Sequence, residues 1–214
     1  MGSVGLLFVG AVLFINGAML LGWVEPKSAA PINFFVGALQ IITPTYLIFT
    51  ANGDADVILS AAGLYLFSFT YLYVALNLTL DLDGTGLGYF CLFVFLSALV
   101  YSGLNFFRLD DPGFGVIWLH WAFLWLLFFL VLGLKRESLS RYTGAVCAIQ
   151  GWVTGWIPAF LLLTGSYSGL SSVVAVVLAV FGVVVFGALY VVMVRRADNG
   201  PSTAVAEEQQ AAPA

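Results

Sequence analysis

The sequence predicts an all-α, polytopic membrane protein, and three observations support that fold class. Seven apolar stretches fill most of the 214 residues, each close to the about 20 residues that a helix needs to cross the hydrocarbon core. Every Asp, Glu, Lys and Arg falls between or after these stretches. The chain is 62% hydrophobic with a mean hydropathy of +1.05, more apolar surface than a soluble core of this size could cover. The predicted helices run over residues 4–22, 32–51, 57–80, 87–107, 114–134, 143–164 and 170–194.

The helices form one predicted transmembrane domain, residues 1–196. Residues 197–214 are rich in Ala, Gln, Glu and Pro, and they are predicted to be a disordered cytoplasmic tail. The first stretch is kept as a helix because residues 1–6 lack the positive charge of a signal peptide.

The basic residues predict the orientation of the helices. If seven helices alternate in direction, six of the seven Lys and Arg lie on one side, and only Arg108 lies on the other. By the positive-inside rule the first side is the cytoplasm. The amino terminus is then outside and the carboxyl terminus inside.

The first four stretches contain few residues that could have a special role. Asn16 lies near the inner end of the first, and Pro44 can bend the second. In the third, Phe67 and Tyr71 are four residues apart and share a face. Cys91 in the fourth is interpreted as a small apolar packing residue.

The fifth stretch carries a stripe of three indoles. At about 100° per residue, Trp118, Trp121 and Trp125 lie within roughly 60° of one another. The stripe is either a bulky packing face or the wall of a lumen. A lumen would supply partners for indole N–H groups, which are costly to leave unpaired at this depth. His120 points away from the stripe and is predicted to be a packed, neutral imidazole.

The sixth stretch pairs polar and aromatic side chains, whereas the seventh is almost wholly aliphatic. Gln150 and Thr154 share one side of the sixth, and Trp152 and Trp156 share another. Pro158 can bend this helix. The seventh is rich in Val and Ala, which is typical of a surface that faces lipid or a neighbouring subunit.

Missing groups narrow the function classes. No ionisable carboxylate or amine lies within a span, so the relay that ion-coupled transporters keep at membrane depth is not evident. No nucleophile, base, metal or cofactor constellation suggests an enzyme, and no basic patch suggests nucleic acid. The neutral amides either make structural hydrogen bonds between helices or line a pore. Passive movement of a neutral solute is therefore the leading hypothesis.

Several motifs in one order resemble the AmiS/UreI family of bacterial urea and short-chain amide channels. The likeness runs over about residues 4–165. The motifs are Val24–Ser28, Asn33–Leu39, Phe69–Tyr73, Ile117–Leu126 and Trp156–Ala159.

This resemblance implies a six-helix channel bundle of three helix hairpins, with a pore in each protomer and a homohexameric ring around lipid in the inner membrane. The seventh helix lies beyond that pattern. With the face analysis, the resemblance predicts that the pore is lined by Leu6, Leu13, Asn16, Phe35, Phe67, Tyr71, Trp118, Trp121, Trp125, Gln150 and Trp156.

The resulting hypothesis is a passive, ungated channel for acetamide-like short aliphatic amides and urea. The family's acid-gated urea channel has a pore-associated Glu in its sixth helix where this chain has Gln150, and the outer loops here contain no His. Proton gating of that kind is therefore not expected. A cytoplasmic amidase or urease is the implied functional partner. The alternative is a proton- or ion-coupled secondary transporter for the same solutes.

Overall fold

The computed structural model describes residues 2–195, and seven helices fill almost all of that range. All seven are long and apolar enough to cross a membrane, and no strand occurs among the described residues. The predicted all-α fold with seven spans is confirmed. The predicted tail, residues 197–214, lies outside the described residues. The helices are α1 (Gly2–Leu20), α2 (Pro26–Thr50), α3 (Ala55–Leu80), α4 (Thr85–Phe107), α5 (Pro112–Gly133), α6 (Glu137–Leu163) and α7 (Ser171–Arg195).

Two helices begin six residues earlier than predicted, whereas the starts of the other five agree within two residues. Helix α2 starts at Pro26, where the proline ring presets a helical φ and the missing N–H is not needed. Helix α6 starts with a 3₁₀ turn, Glu137–Leu139, which leads into the α-helix at Ser140. Hydropathy alone missed both starts because these first turns lie in polar sequence.

Some turns of α5, α6 and α7 are π-helical. In α6 the widened segment is Gly151–Trp156, and Pro158 follows two residues later. Pro158 has no N–H to donate to the carbonyl of Thr154, so the regular i to i−4 pattern cannot continue through this point. The expected distortion by Pro158 thus accompanies a π-helical segment.

Helices α1 to α6 form a closed ring. Each contacts its neighbours in sequence, α6 also contacts α1, and the contacts are most extensive between α2 and α3, α4 and α5, and α1 and α6. Glycines let α1 and α6 touch along their backbones: a Cβ on Gly10 would lie 2.7 Å from the carbonyl oxygen of Gly151. The ring is the scaffold for the candidate site. The arrangement in three helix hairpins and the assembly into a homohexamer remain predictions.

Ion pairs join helix ends at both faces of the bundle. We call the end that carries Lys27, Lys135, Arg136, Arg141 and Arg195 the basic face, and the other end the opposite face. The pairs are Lys27–Asp81 (2.8 Å) and Lys135–Asp83 (2.9 Å) at the basic face, and Arg108–Asp56 (2.8 Å) at the opposite face. Hydrogen bonds from Thr85 and Lys135 hold the pKa of Asp83 well below its usual range. All six side chains are largely exposed, so the pairs contribute little to stability.

Helix α7 packs on the outside of the ring, mainly against α5. His120 Nε2 lies 3.0 Å from the carbonyl oxygen of Leu178, and the Tyr142 hydroxyl donates to the carbonyl of Phe186 at 3.0 Å. The predicted packed position of His120 is confirmed, because the ring is buried against α7. The outward surface of α7 exposes valines.

Candidate permeation pathway

A cavity of about 540 Å³ enters the ring from the opposite face. Asp54, Asp56 and Asp111 lie among the residues of its wall, at helix ends near the mouth. Asp54 and Asp111 cap α3 and α5, so each accepts backbone N–H groups of the first turn. Deeper in the ring the wall is apolar and aromatic: Leu6, Val9, Leu64, Phe67, Trp118 and Trp121. We call this the outer cavity.

A second cavity, of about 250 Å³, lies in the half of the ring nearer the basic face. We call it the inner cavity. Its wall is apolar with four neutral polar side chains and no charged residue. The polar residues are Asn16, Thr70, Tyr71 and Asn77; the apolar ones include Leu13, Leu124 and Trp125.

An aromatic partition separates the two cavities. The ring of Phe67 lies edge-on to two indoles, with centroid distances of 4.7 Å to Trp121 and 4.8 Å to Trp125. Trp118 extends the cluster on the outer side, 5.0 Å from Trp121. Phe67 and Trp121 line the outer cavity, and Tyr71 and Trp125, one turn further along, line the inner one. All of these residues are aromatic, so the partition contains no ionisable carboxylate or amine.

The indole N–H groups of the partition are bonded within the protein. Trp121 Nε1 donates to Thr154 Oγ1 at 3.0 Å, and Trp125 Nε1 donates to Thr70 Oγ1 at 3.3 Å. The expectation that a polar lumen would supply these partners is wrong for Trp121, because Thr154 lines neither cavity, whereas the partner of Trp125, Thr70, does line the inner cavity. The hydrogen bonds also fix the orientation of the two rings.

Five buried side-chain polar atoms lack a partner among the described residues, and three of them border the cavities. These three are Gln40 Oε1 at the outer cavity and Tyr71 Oη and Asn77 Oδ1 at the inner cavity. An unsatisfied buried acceptor costs about 1–3 kcal/mol, so a donor that enters the cavity is favoured there. Asn16 is different, because it exchanges two side-chain hydrogen bonds with Asn33, at 2.9 and 2.7 Å.

The structure places eight of the eleven predicted lining residues at these cavities. Leu6, Phe67, Trp118 and Trp121 line the outer cavity, and Leu13, Asn16, Tyr71 and Trp125 line the inner one. Whether a solute follows this route stays a prediction.

The other three predicted residues line neither cavity. Phe35 on α2 is 66% exposed, and Trp156 on α6 is 42% exposed beside Trp152 and Phe160, so both point out of the ring. Gln150 is fully buried, and its Nε2 donates to the carbonyl oxygen of His120 at 2.9 Å. The amide therefore ties α6 to α5 instead of facing a cavity.

The predicted lining set did not include Gln40 and Asn77, whose unpaired side-chain oxygens border the two cavities. The sequence did indicate that they could be functional, since both are neutral amides inside apolar spans, where a polar side chain is costly unless it has a partner or a function. Helical spacing could not show that they face the cavities rather than a neighbouring helix.

A hydrogen-bond cluster joins the outer mouth to the segment before α7. Asp111 Oδ1 accepts from the hydroxyls of Tyr167 at 2.7 Å and Ser171 at 2.6 Å. Burial, and then the bond to Asp111, raises the pKa of Tyr167 above its usual range. The Tyr167 hydroxyl therefore stays protonated and able to donate. In residues 2–195, no group of three His, Cys, Asp or Glu residues is placed to hold a metal ion.

Replacing Gln150 with glutamate should lower stability without creating a pH-dependent flux. The change removes the amide donor to His120 and leaves a buried acid beside a carbonyl, at a cost of about 1–3 kcal/mol. Thermal melting and solute flux between acidic and neutral pH would be measured. Gln40→Glu is the matched control, because that side chain borders the outer cavity and its carboxyl can titrate there. A pH-dependent flux in Gln150→Glu at unchanged melting temperature would place position 150 on the route.

Comparisons with known proteins identify relatives over most of the chain. Residues 1–166 match the AmiS/UreI family transporter profile. The chain is 55% identical over 175 residues to a Rhodococcus erythropolis protein named as transporter protein AmiS2, covering 82% of this chain and 85% of that one. It is 49% identical over 182 residues to a Mycolicibacterium smegmatis protein named as an amidate substrates transporter, covering 85% of each. The cryo-EM structure of the Helicobacter pylori urea channel in a closed state superposes with a TM-score of 0.70 at 36% identity, covering 77% of this chain and 98% of that one.

Proposed function

The chain belongs to the AmiS/UreI family of transporters, and from this premise we propose that it is a passive, ungated channel for small neutral amides and urea. As a family member it is a transporter and not an enzyme, as predicted. One observation carries the proposal: two cavities approach each other from opposite faces and meet at an uncharged aromatic partition.

The partition favours neutral solutes over ions. An ion would lose its hydration beside Phe67, Trp121 and Trp125 without a charge or a free hydrogen-bonding group in compensation, a cost of many kcal/mol. A small planar amide loses only a few hydrogen bonds, and it can slide between flat rings. Because hydrogen bonds hold Trp121 and Trp125, passage then requires the Phe67 ring to move aside, and no proton or second ligand takes part.

The unpaired oxygens in the two cavities favour solutes that carry N–H₂ groups. Gln40 Oε1 and Asn77 Oδ1 are acceptors on either side of the partition, and both need a donor. Amides and urea supply such donors together with a carbonyl for the Tyr71 hydroxyl. The names of the relatives agree with this chemistry, since one refers to amidate substrates and another to urea.

The proposed setting is the bacterial inner membrane, with the basic face toward the cytoplasm and the amino terminus outside. A cytoplasmic amidase or urease would consume the solute and maintain its gradient. The outward aromatic side chains, Phe35 and Trp156 among them, offer a surface for neighbouring subunits of a homohexamer.

Solute flux into proteoliposomes tests the proposal directly. Stopped-flow light scattering with acetamide or urea, and no ion gradient, should show uptake well above that of empty liposomes. The rate should rise linearly with solute concentration and ignore a protonophore. Uptake that appears only with an imposed proton or sodium gradient would instead identify the coupled transporter. Sodium and chloride flux should stay at the level of empty liposomes.

A further inference from the structure

A third hollow lies outside the ring, in a groove between α5, α6 and α7. It measures about 680 Å³, and it is lined by side chains such as Leu119, Phe123, Leu130, Tyr142 and Val183. We call it the α7 groove. On α5 its residues lie on the side away from the Trp stripe, so the groove is separate from both cavities.

The α7 groove offers an apolar wall to an occupant. Its polar side chains are His120, Tyr142 and Tyr190. The first two already bond to carbonyls of α7, at 3.0 Å each. Gly187 leaves open space beside α7, because a Cβ built there meets no atom within 4 Å. The occupant that such a wall fits is a flexible hydrocarbon chain.

The groove runs along the helices from the basic face past the middle of the bilayer, since its α5 residues extend from Val116 to Leu130, about 21 Å at 1.5 Å per residue. Its α7 residues run from Ala179 to Tyr190, which is about 16 Å at 1.5 Å per residue. Half of a hydrocarbon core of about 30 Å is shorter than both lengths. The Tyr190 end lies toward the basic face, and Leu139 and Tyr142 of α6 line the same end.

The end of the groove at the basic face has three exposed arginines. In the sequence, Arg136 precedes the groove residue Leu139 by three positions, Arg141 precedes the groove residue Tyr142 by one, and Arg195 follows Tyr190 by five. None of the three has a carboxylate within 4 Å in residues 2–195, whereas Lys27, Lys135 and Arg108 are each paired. Glu137 is the acidic neighbour at this end, and it makes no ion pair within that range.

We propose that the α7 groove binds an anionic phospholipid, with an acyl chain along α7 and the phosphate near Arg136, Arg141 and Arg195. Apolar walls account for the acyl chain, and the three exposed arginines at the basic face account for the headgroup. Helix α7 starts after residue 166, where the family profile ends, so the groove is a feature added to the shared six-helix region. The inference does not depend on which solute the ring passes.

Lipid binding by the purified full-length chain tests this inference. Melting temperature and native mass spectra would be recorded with added dioleoylphosphatidylglycerol or dioleoylphosphatidylcholine. Phosphatidylglycerol should raise the melting temperature more and should be retained at one or more molecules per protomer. Equal effects of the two lipids on the wild-type chain would overturn the proposal.

Variants separate the groove from the rest of the surface. Gly187→Leu should fill the groove and abolish both the retention and the preference for phosphatidylglycerol. Ala188→Leu is the matched control, because Ala188 is exposed on the same turn and does not line the groove. If Gly187→Leu does not fold, Ala179→Leu blocks the other end of the groove, about 12 Å away along α7, and should have the same effect. Unchanged lipid binding in the filled variant contradicts the proposal.

The arginines and a second copy of the chain need their own tests. Replacing Arg136, Arg141 and Arg195 together by glutamine should remove the preference for the anionic lipid, whereas Lys27→Gln at the same face should retain it. A disulfide crosslink between copies through Ala179→Cys would place another protomer in the groove. That result would also overturn the proposal.

Discussion

Replacing Phe67 with alanine is expected to join the two cavities and to admit larger solutes. The Phe67 ring separates the outer cavity from the inner one, and it contacts both Trp121 and Trp125 edge-on. Without the ring, amides with longer acyl chains, such as butyramide, should cross about tenfold faster, which corresponds to a barrier lower by about 1.4 kcal/mol. Flux of acetamide and butyramide into proteoliposomes would be compared.

Phe69→Ala is the control for that substitution. Phe69 lies on the same helix, but it is 51% exposed and outside both cavities, so its loss should leave the ratio of the two fluxes unchanged. If alanine at position 67 prevents folding, Phe67→Leu should give a smaller shift in the same direction. A wild-type flux ratio in well-folded Phe67→Ala protein would rule out the partition as the selective barrier.

Replacing Gly10 with alanine should cause the largest loss of stability of any change considered. The new Cβ would lie 2.7 Å from the Gly151 carbonyl oxygen and 2.8 Å from the Trp156 backbone nitrogen. Both obstacles are backbone atoms, so α1 and α6 must move apart and the ring must open. We expect a loss of several kcal/mol, in the range of severe overpacking, measured as a lower melting temperature together with reduced acetamide flux.

Gly103→Ala is the matched control for Gly10→Ala. Gly103 lies inside α4, and a Cβ there meets nothing within 4 Å. Alanine should stabilise that helix by roughly 0.5–1 kcal/mol, because glycine loses more conformational freedom on folding. Equal melting temperatures for the two variants would show that α1 and α6 are not held at backbone contact.

The seven helices and the aromatic centre of the ring were predictable because long apolar stretches and charge exclusion are direct consequences of the bilayer. The outward positions of Phe35 and Trp156 were not, since in a membrane both the lipid side and a lumen can be apolar, and periodicity does not tell them apart. The π-helical segment Gly151–Trp156 adds to this, because a widened turn changes the angle per residue. A face counted from Gln150 at 100° per residue does not continue to Trp156.

The buried amides were the second limit on prediction. The sequence does not show whether a neutral amide in a span makes a hydrogen bond to a neighbouring helix or borders a cavity. Gln150 Nε2 donates to the His120 carbonyl and Asn16 pairs with Asn33, whereas Gln40 and Asn77 face a cavity. An unpaired oxygen does not mark the difference, since Gln150 Oε1 also lacks a partner among the described residues. The partner is set by tertiary packing, which only the assembled ring reveals.

The threonine bonds to Trp121 and Trp125 affect how the two candidate solutes are ranked. Since those indoles have no N–H left to offer, a molecule between the rings must do without the water contacts it gives up on entry. Urea carries two amino groups and acetamide one, so on the proposed route urea would lose more hydration at the aromatic partition. Selectivity between urea and acetamide would then come from the difference in their dehydration free energies, because the aromatic rings offer a hydrogen bond to neither solute.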